Sequence, residues 1–185
     1  IVRMLLAANA NVNIRSKSGD EEGWTALMKA SSSGHTGIVN LLIWRGADVN
    51  AKITSGQVSG QTALILASRN GRTKIAKILI KRGANVNAKI QSETFGGYTA
   101  LIGACANNHV DIVSVLINAG ADVNATINSG NFKGVTPLMI ASTLPNKKTA
   151  KRLIEAGANV NAKITSETLL GATALIIASA FGNSG

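Results

Sequence analysis

The sequence predicts a mainly α fold, a linear solenoid of helix-turn-helix units that each carry a protruding β-hairpin. Three observations predict it. The phrase Gly46-Ala47-Asp48-Val49-Asn50 returns as Gly83-Ala84-Asn85-Val86-Asn87, Gly120-Ala121-Asp122-Val123-Asn124 and Gly157-Ala158-Asn159-Val160-Asn161, with an earlier copy at Asn9-Ala10-Asn11-Val12-Asn13. A second phrase, Thr25-Ala26-Leu27, returns at Thr62, Thr99, Thr136 and Thr173, in steps of 37 residues (62 − 25, 99 − 62, 136 − 99, 173 − 136). Within each period, two short helical patterns are followed by a stretch with none. A fixed period of this size means stacked units, each too small to bury its apolar face alone.

The period from Gln61 to Gly97 shows the logic of one unit. Thr62 is a natural N-cap, and a short helix over Ala63–Arg69 offers Leu64, Ile65 and Ala67 for burial. Pro137 follows Thr136 in a sister unit, a place where proline costs no hydrogen bond. Asn70-Gly71 ends this first helix. A second helix over Thr73–Lys81 turns Ile75, Ala76, Ile78, Leu79 and Ile80 inward and Lys74, Lys77, Lys81 and Arg82 toward water. Gly83 closes it in the left-handed conformation, and Asn9 holds that place in the first copy.

Residues 1–185 read as one solenoid of four full units with a partial unit at each end. The chain begins at Ile1 in an apolar run and stops at Gly185 where another unit was about to continue, so a piece of a longer array is expected. No apolar run reaches the ~18 residues a membrane span needs. A single cysteine, Cys105, excludes an intrachain disulfide and fits a reducing compartment: cytoplasmic, or a host cytosol if a bacterium secretes the chain. Net charge is +10, from 19 basic and 9 acidic residues, which favours acidic partners or nucleic acid.

Two antiparallel helices, a protruding loop and the recurring Thr-Ala-Leu (once Thr136-Pro137-Leu138) and Gly-Ala-Asp-Val-Asn phrases resemble the ankyrin repeat along the whole chain. The resemblance implies an L-shaped unit: an inner helix, an outer helix and a β-hairpin finger at about a right angle. Fingers and inner helices would line a concave groove. The typical unit runs about 33 residues, and here the four extra all fall between the Asn of one phrase and the Thr of the next.

An even insertion lengthens each finger strand by two without flipping side chains, about 6–7 Å per arm. Ile53 and Val58, Ile90 and Phe95, Ile127 and Phe132, and Ile164 and Leu169 are each five apart, as cross-strand pairs around a four-residue loop would be. Stacking then sets the isoleucines in one column and Val58, Phe95, Phe132 and Leu169 in another. Two readings stay open: an internal ladder that stiffens the fingers, or an apolar stripe that docks a partner. Ser16 and Glu21 break the pattern in the first finger. The family's histidine after Thr-Pro-Leu is replaced by Met28, Ile65, Ile102, Met139 and Ile176, so units must be joined by apolar burial there.

No enzymatic constellation emerges, and no cofactor or metal site is expected. His35 and His109 occupy the same turn two periods apart (109 − 35 = 74), too far to act as a pair, and local backbone is expected to satisfy them. Cys105 stands where other units carry Ser31, Ser68, Ser142 and Ser179, as a small inert filler. Asp20-Glu21-Glu22 lacks the spacing of a calcium loop and reads as a solvated finger tip. Asn124-Ala125-Thr126 matches a glycosylation triplet, but the repeated phrase explains it. Arg69, Arg72, Lys74, Lys77, Lys81 and Arg82 form one basic group; Lys147, Lys148, Lys151 and Arg152 form another. A basic column at Arg15, Lys52, Lys89 and Lys163 follows the finger phrase. With aromatics at only 3%, solvated faces outweigh a stacking nucleic-acid surface.

The expected function is a non-catalytic scaffold that binds a partner protein, of acidic character, through the groove and fingers. The alternatives are polyanion or nucleic-acid binding through the basic groups, and a rigid spacer within a larger protein. The resemblance places the variable binding positions before each threonine (Trp24, Gln61, Tyr98, Val135, Ala172) and at inner-helix ends, among them Ser33, Arg69, Asn70, Asn107, Thr143 and Leu144. Of these, Trp24, Tyr98, Arg69 and Leu144 are expected to carry most of the affinity. The apolar ends, uncapped, are expected to stack end to end.

Overall fold

The computed structural model describes residues 1–17, 22–54 and 56–183. Asp20 and Glu21 of the acidic run, and the loop position Ser55, lie outside the described residues. A lone helix α1 (Val2–Ala7) is followed by the pairs α2 (Ala26–Ser33) and α3 (Thr36–Trp44), α4 (Ala63–Arg69) and α5 (Thr73–Lys81), α6 (Ala100–Ala106) and α7 (Val110–Asn118), and α8 (Pro137–Ser142) and α9 (Lys147–Glu155), then by α10 (Ala174–Ala180). The two helices of a pair pack on each other. Each inner helix (α2, α4, α6, α8, α10) then packs on the next inner one, and the outer helices α3, α5, α7 and α9 do likewise. The result is a line of neighbours.

Local chemistry fixes each helix start. The hydroxyls of Thr25, Thr62, Thr99, Thr136 and Thr173 accept hydrogen bonds from the amides three residues on, capping every inner helix in the same way. The outer helices of the units end at Gly46, Gly83, Gly120 and Gly157, all at positive φ, and Asn9 takes φ 59 after α1. Ile75, Ala76 and Leu79 of α5 are buried as expected, while Ile78 and Ile80 are half-buried. The column that replaces the family's histidine is core: Met28, Ile65, Ile102 and Met139 are each at most 1% exposed, and Ile176, on the last helix, is 56% exposed.

A polar ladder runs beside this core. The Asn87 side chain donates to the Gly120 carbonyl (3.1 Å) and accepts from the Asp122 amide (2.8 Å). Asn13, Asn50 and Asn124 make the same two bonds to the following copy of the phrase. The last residue of each phrase thus holds the next phrase. Asn87→Ala removes both bonds at one joint and is expected to cost about 1–2 kcal/mol. Urea denaturation checks it; an unchanged midpoint would make the ladder incidental.

The fingers differ from the expected long hairpins. The Ile53 amide donates to Gln61 and its carbonyl accepts from Gly60, so Ile53 faces Gly60-Gln61 and not Val58. Ile90, Ile127 and Ile164 pair the same way with Gly97-Tyr98, Gly134-Val135 and Gly171-Ala172. Among the described residues the only β-bridge is the isolated one between Arg15 and Thr25, and the arms are not lengthened.

The extra residues fold into tight turns instead, such as Ser59 to Gly56 and Gln61 to Val58, with single 3-10 turns at Gly130–Phe132 and Glu167–Leu169. The reason is composition. These loops are rich in Gly, Ser and Asn, whose side chains and backbone freedom favour turns over ladders. Ser92, for example, accepts from the Phe95 amide at 2.9 Å.

Neighbouring fingers are nonetheless tied together. Gln91 donates to Ser59, Asn128 to Gly96 and Thr165 to Lys133, one backbone bond per joint. Ser129 Oγ adds a donor bond to the Ser92 carbonyl (2.8 Å) and accepts from the Gly96 amide (2.7 Å).

The two proposed finger columns therefore separate. Ile53, Ile90, Ile127 and Ile164 are buried as a ladder. Phe95, Phe132 and Leu169 are 38%, 54% and 53% exposed, with Val58 half-buried, and form an accessible stripe.

Candidate functional site

The stripe and the inner-helix ends meet at one cleft. Arg69 is the last residue of α4, Asn107 caps α6, and Tyr98 precedes the Thr99 cap. Together with Gln61, Val58 and Phe95 they line a concavity of about 330 Å3, floored by Ile90 and Ala106. Four of the expected groove residues and three from the expected stripe (Val58, Ile90 and Phe95) are thus brought into one place. The Arg69 and Asn107 side chains are exposed, Tyr98 is half-buried and Gln61 is buried. Burial pushes the Tyr98 phenol above its ordinary value, and the nearby Arg69 charge partly offsets this.

The geometry under Tyr98 depends on a residue the sequence reading passed over. A Cβ built on Gly103 would stand 3.3 Å from the Tyr98 ring edge and hydroxyl, and 3.5 Å from Arg69 Cβ. The ring lies against bare helix. The signal was present: the other inner helices carry Lys29, Leu66, Ile140 and Ile177 at that place. Asn107 donates to the Gly103 carbonyl at 3.0 Å.

The other expected site residues lie elsewhere. Trp24 is half-buried with the Lys29 ammonium 5.6 Å from its ring centre. Ser33 lines a shallow cleft at the helix turns with Gly71 and Arg72. Asn70 is committed to Ser32 Oγ at 2.9 Å, and Thr143 to the Ile140 carbonyl at 2.8 Å. Val135 is buried. Leu144 lines a separate concavity of about 350 Å3 with Pro145 and Ala178, between the α8–α9 turn and α10.

His109 corrects a smaller expectation. Its Nε2 lies 3.1 Å from the Arg69 carbonyl oxygen, so its partner is the preceding unit's backbone and not its own turn. Among the described residues no three His, Cys, Asp or Glu side chains gather where a metal could be held. Cys105 is fully buried, and burial pushes its thiol up to about 12. The sign is that of a raised acid: its contribution to stability is whole below the ordinary thiol range and is lost as pH rises toward 12. At neutral pH it is an inert filler.

Of the basic groups, Lys74, Lys77, Lys81 and Arg82 are exposed on and just after α5. On α9, Arg152 and Lys151 lie 3.3 and 4.0 Å from Glu155, which partly neutralises them. Arg72 Nε is spent on the Ser32 carbonyl at 3.0 Å.

A line of helical hairpins, each joined only to its neighbours and indented where fingers meet inner helices, defines an α-solenoid repeat protein. The family model described as ankyrin repeats (3 copies) matches residues 1–53, 51–127 and 89–164. The chain belongs to the ankyrin repeat family. Such repeats generally mediate protein–protein interaction, and proteins built of them are typically non-enzymatic scaffolds. No curated protein matches the sequence closely enough to serve as a relative. Among the described residues no helix is long and apolar enough to cross a membrane.

Proposed function

We propose that this chain is a non-catalytic scaffold that binds a partner protein of acidic character through its groove and fingers. The observation that supports it is the cleft itself: Arg69, Tyr98, Asn107 and Phe95 converge from three separate segments on one indentation. Arginine and aromatic side chains dominate binding energy at interfaces. Arg69 and Tyr98 supply the centre, while Trp24 and Leu144 extend the contact along the stack. A reducing, cytoplasmic setting suits a chain whose one cysteine is buried and unpaired.

The test is affinity capture with partner identification, followed by alanine at Trp24, Arg69, Tyr98 and Leu144 together. The expected loss is about 100-fold or more. Unchanged affinity would show that the partner docks elsewhere.

The exposed lysines of α5 favour a second reading, binding of a polyanion. A salt titration separates the two: polyanion affinity falls steeply and linearly on a log–log plot, whereas the groove complex changes little. Self-association through the ends also belongs to this proposal, since Leu175 and Ile176 are 74% and 56% exposed on α10. Light scattering should report species larger than a monomer at high concentration, and a strict monomer would remove the idea.

A further inference from the structure

The cleft beside Gly103 has a chemistry of its own. Glycine inside a helix costs stability, yet α6 carries one where the neighbouring inner helices keep Leu66 and Ile140. What the glycine provides is room: Tyr98 lies against the bare turn, and Arg69 Cβ borders the same space. The cleft lining therefore includes the Arg69 guanidinium, the Tyr98 phenol and the Asn107 amide, and no carboxylate is among its lining residues. The same cleft is lined by the apolar Val58, Ile90, Phe95 and Ala106 and by Gln61. A concavity of about 330 Å3 is at the small end of ligand-pocket sizes, enough to read one or two side chains but not a whole interface.

We propose that this cleft takes an extended segment of the partner protein in which an acidic side chain lies within two residues of a large apolar one. The carboxylate meets Arg69 and the Tyr98 hydroxyl, and the apolar side chain packs on Phe95. The inference rests on the groove reading above and specifies what the groove selects. Two physical points favour this occupant over a neutral one. Arg–carboxylate hydrogen bonds are charge-assisted and directional, and the net charge of +10 draws acidic segments in. Gly103 is then a specificity residue, because a side chain there would crowd the Tyr98 ring and hydroxyl.

The experiment selects a phage-displayed library of random short peptides on the whole chain, then measures synthetic winners by fluorescence polarisation at physiological salt. Winners are expected to carry Asp or Glu within two residues of Leu, Ile, Phe or Met. Changing that acid to its amide, or making Arg69→Gln in the protein, should each weaken binding about tenfold or more. Combining the two changes should add little. Gly103→Leu should weaken it as well, with Tyr98→Phe as the milder variant should the leucine disturb folding. Lys77→Gln, on the outer helix, should change nothing.

Winners without the acidic–apolar pairing, a library that yields no binder, or a Lys77→Gln effect as large as that of Arg69→Gln would each overturn the proposal. Winners that lose binding on Tyr98→Ala and Phe95→Ala but not on Arg69→Gln would sink the acidic selection while leaving the groove reading intact. Winners insensitive to all three would sink both.

Discussion

Replacing Ile102 by alanine is expected to destabilise the protein by about 2–5 kcal/mol. Ile102 is fully buried in α6, which packs against α4 on one side and α8 on the other. It stands where related repeats carry a hydrogen-bonding histidine, so this position offers no polar bond that could make up for the lost packing. The loss combines the transfer of the missing methyl and methylene groups with the cavity left between helices that cannot close over it. Urea denaturation followed by circular dichroism measures it. A change below about half a kcal/mol would show that this column is not core.

Gly97→Ala is the second large effect, and it comes with an internal control. Gly97 has φ 84, and an added Cβ would press into the Thr126 carbonyl oxygen and lie 2.9 Å from the Asn128 nitrogen. The next finger would have to withdraw, breaking the Asn128-to-Gly96 backbone bond. A cost of about 2–3 kcal/mol is expected from conformation and displacement together. Gly171 has nearly the same φ, 82, with nothing within 4 Å of its added Cβ. Gly171→Ala should therefore cost only the conformational part, about 1 kcal/mol. Denaturation of both variants gives the difference, which isolates the finger-to-finger approach. Equal losses would mean that the close approach carries no energy.

The helices were legible because their determinants are local and repeated. A threonine cap, an apolar period and a closing glycine sit at fixed offsets, and α4 and α5 span the residues those signals mark. The fingers were misjudged because a spacing of five between Ile90 and Phe95 is compatible with a hairpin on paper, while Ser92 between them and Gly96-Gly97 just after them favour turns. Gly97 decides the register by taking a conformation that places Tyr98, not Phe95, opposite Ile90.

The site was legible in part. Arg69, Tyr98 and Asn107 stood out as variable among invariant phrases, and they meet. Leu144 stood out by the same rule but lies in another hollow, because variability marks exposure and not direction. Gly103 was missed because a glycine among small residues reads as filler until the neighbouring ring is seen.

The asparagine ladder carries a consequence for how such a protein changes length. Asn50 grips the copy that begins at Gly83, and Asn87 grips the one that begins at Gly120 with the same pair of bonds. Excising the 37 residues from Ala51 to Asn87 would bring Asn50 to Gly120 in the same register, with the same pair of bonds open to it. A chain that gains or loses one period thus keeps the same asparagine clasp at the new junction. Reach can be varied in fixed increments, and the cleft is lost only where the period removed is one that supplies its lining, as the one carrying Val58, Gln61 and Arg69 does.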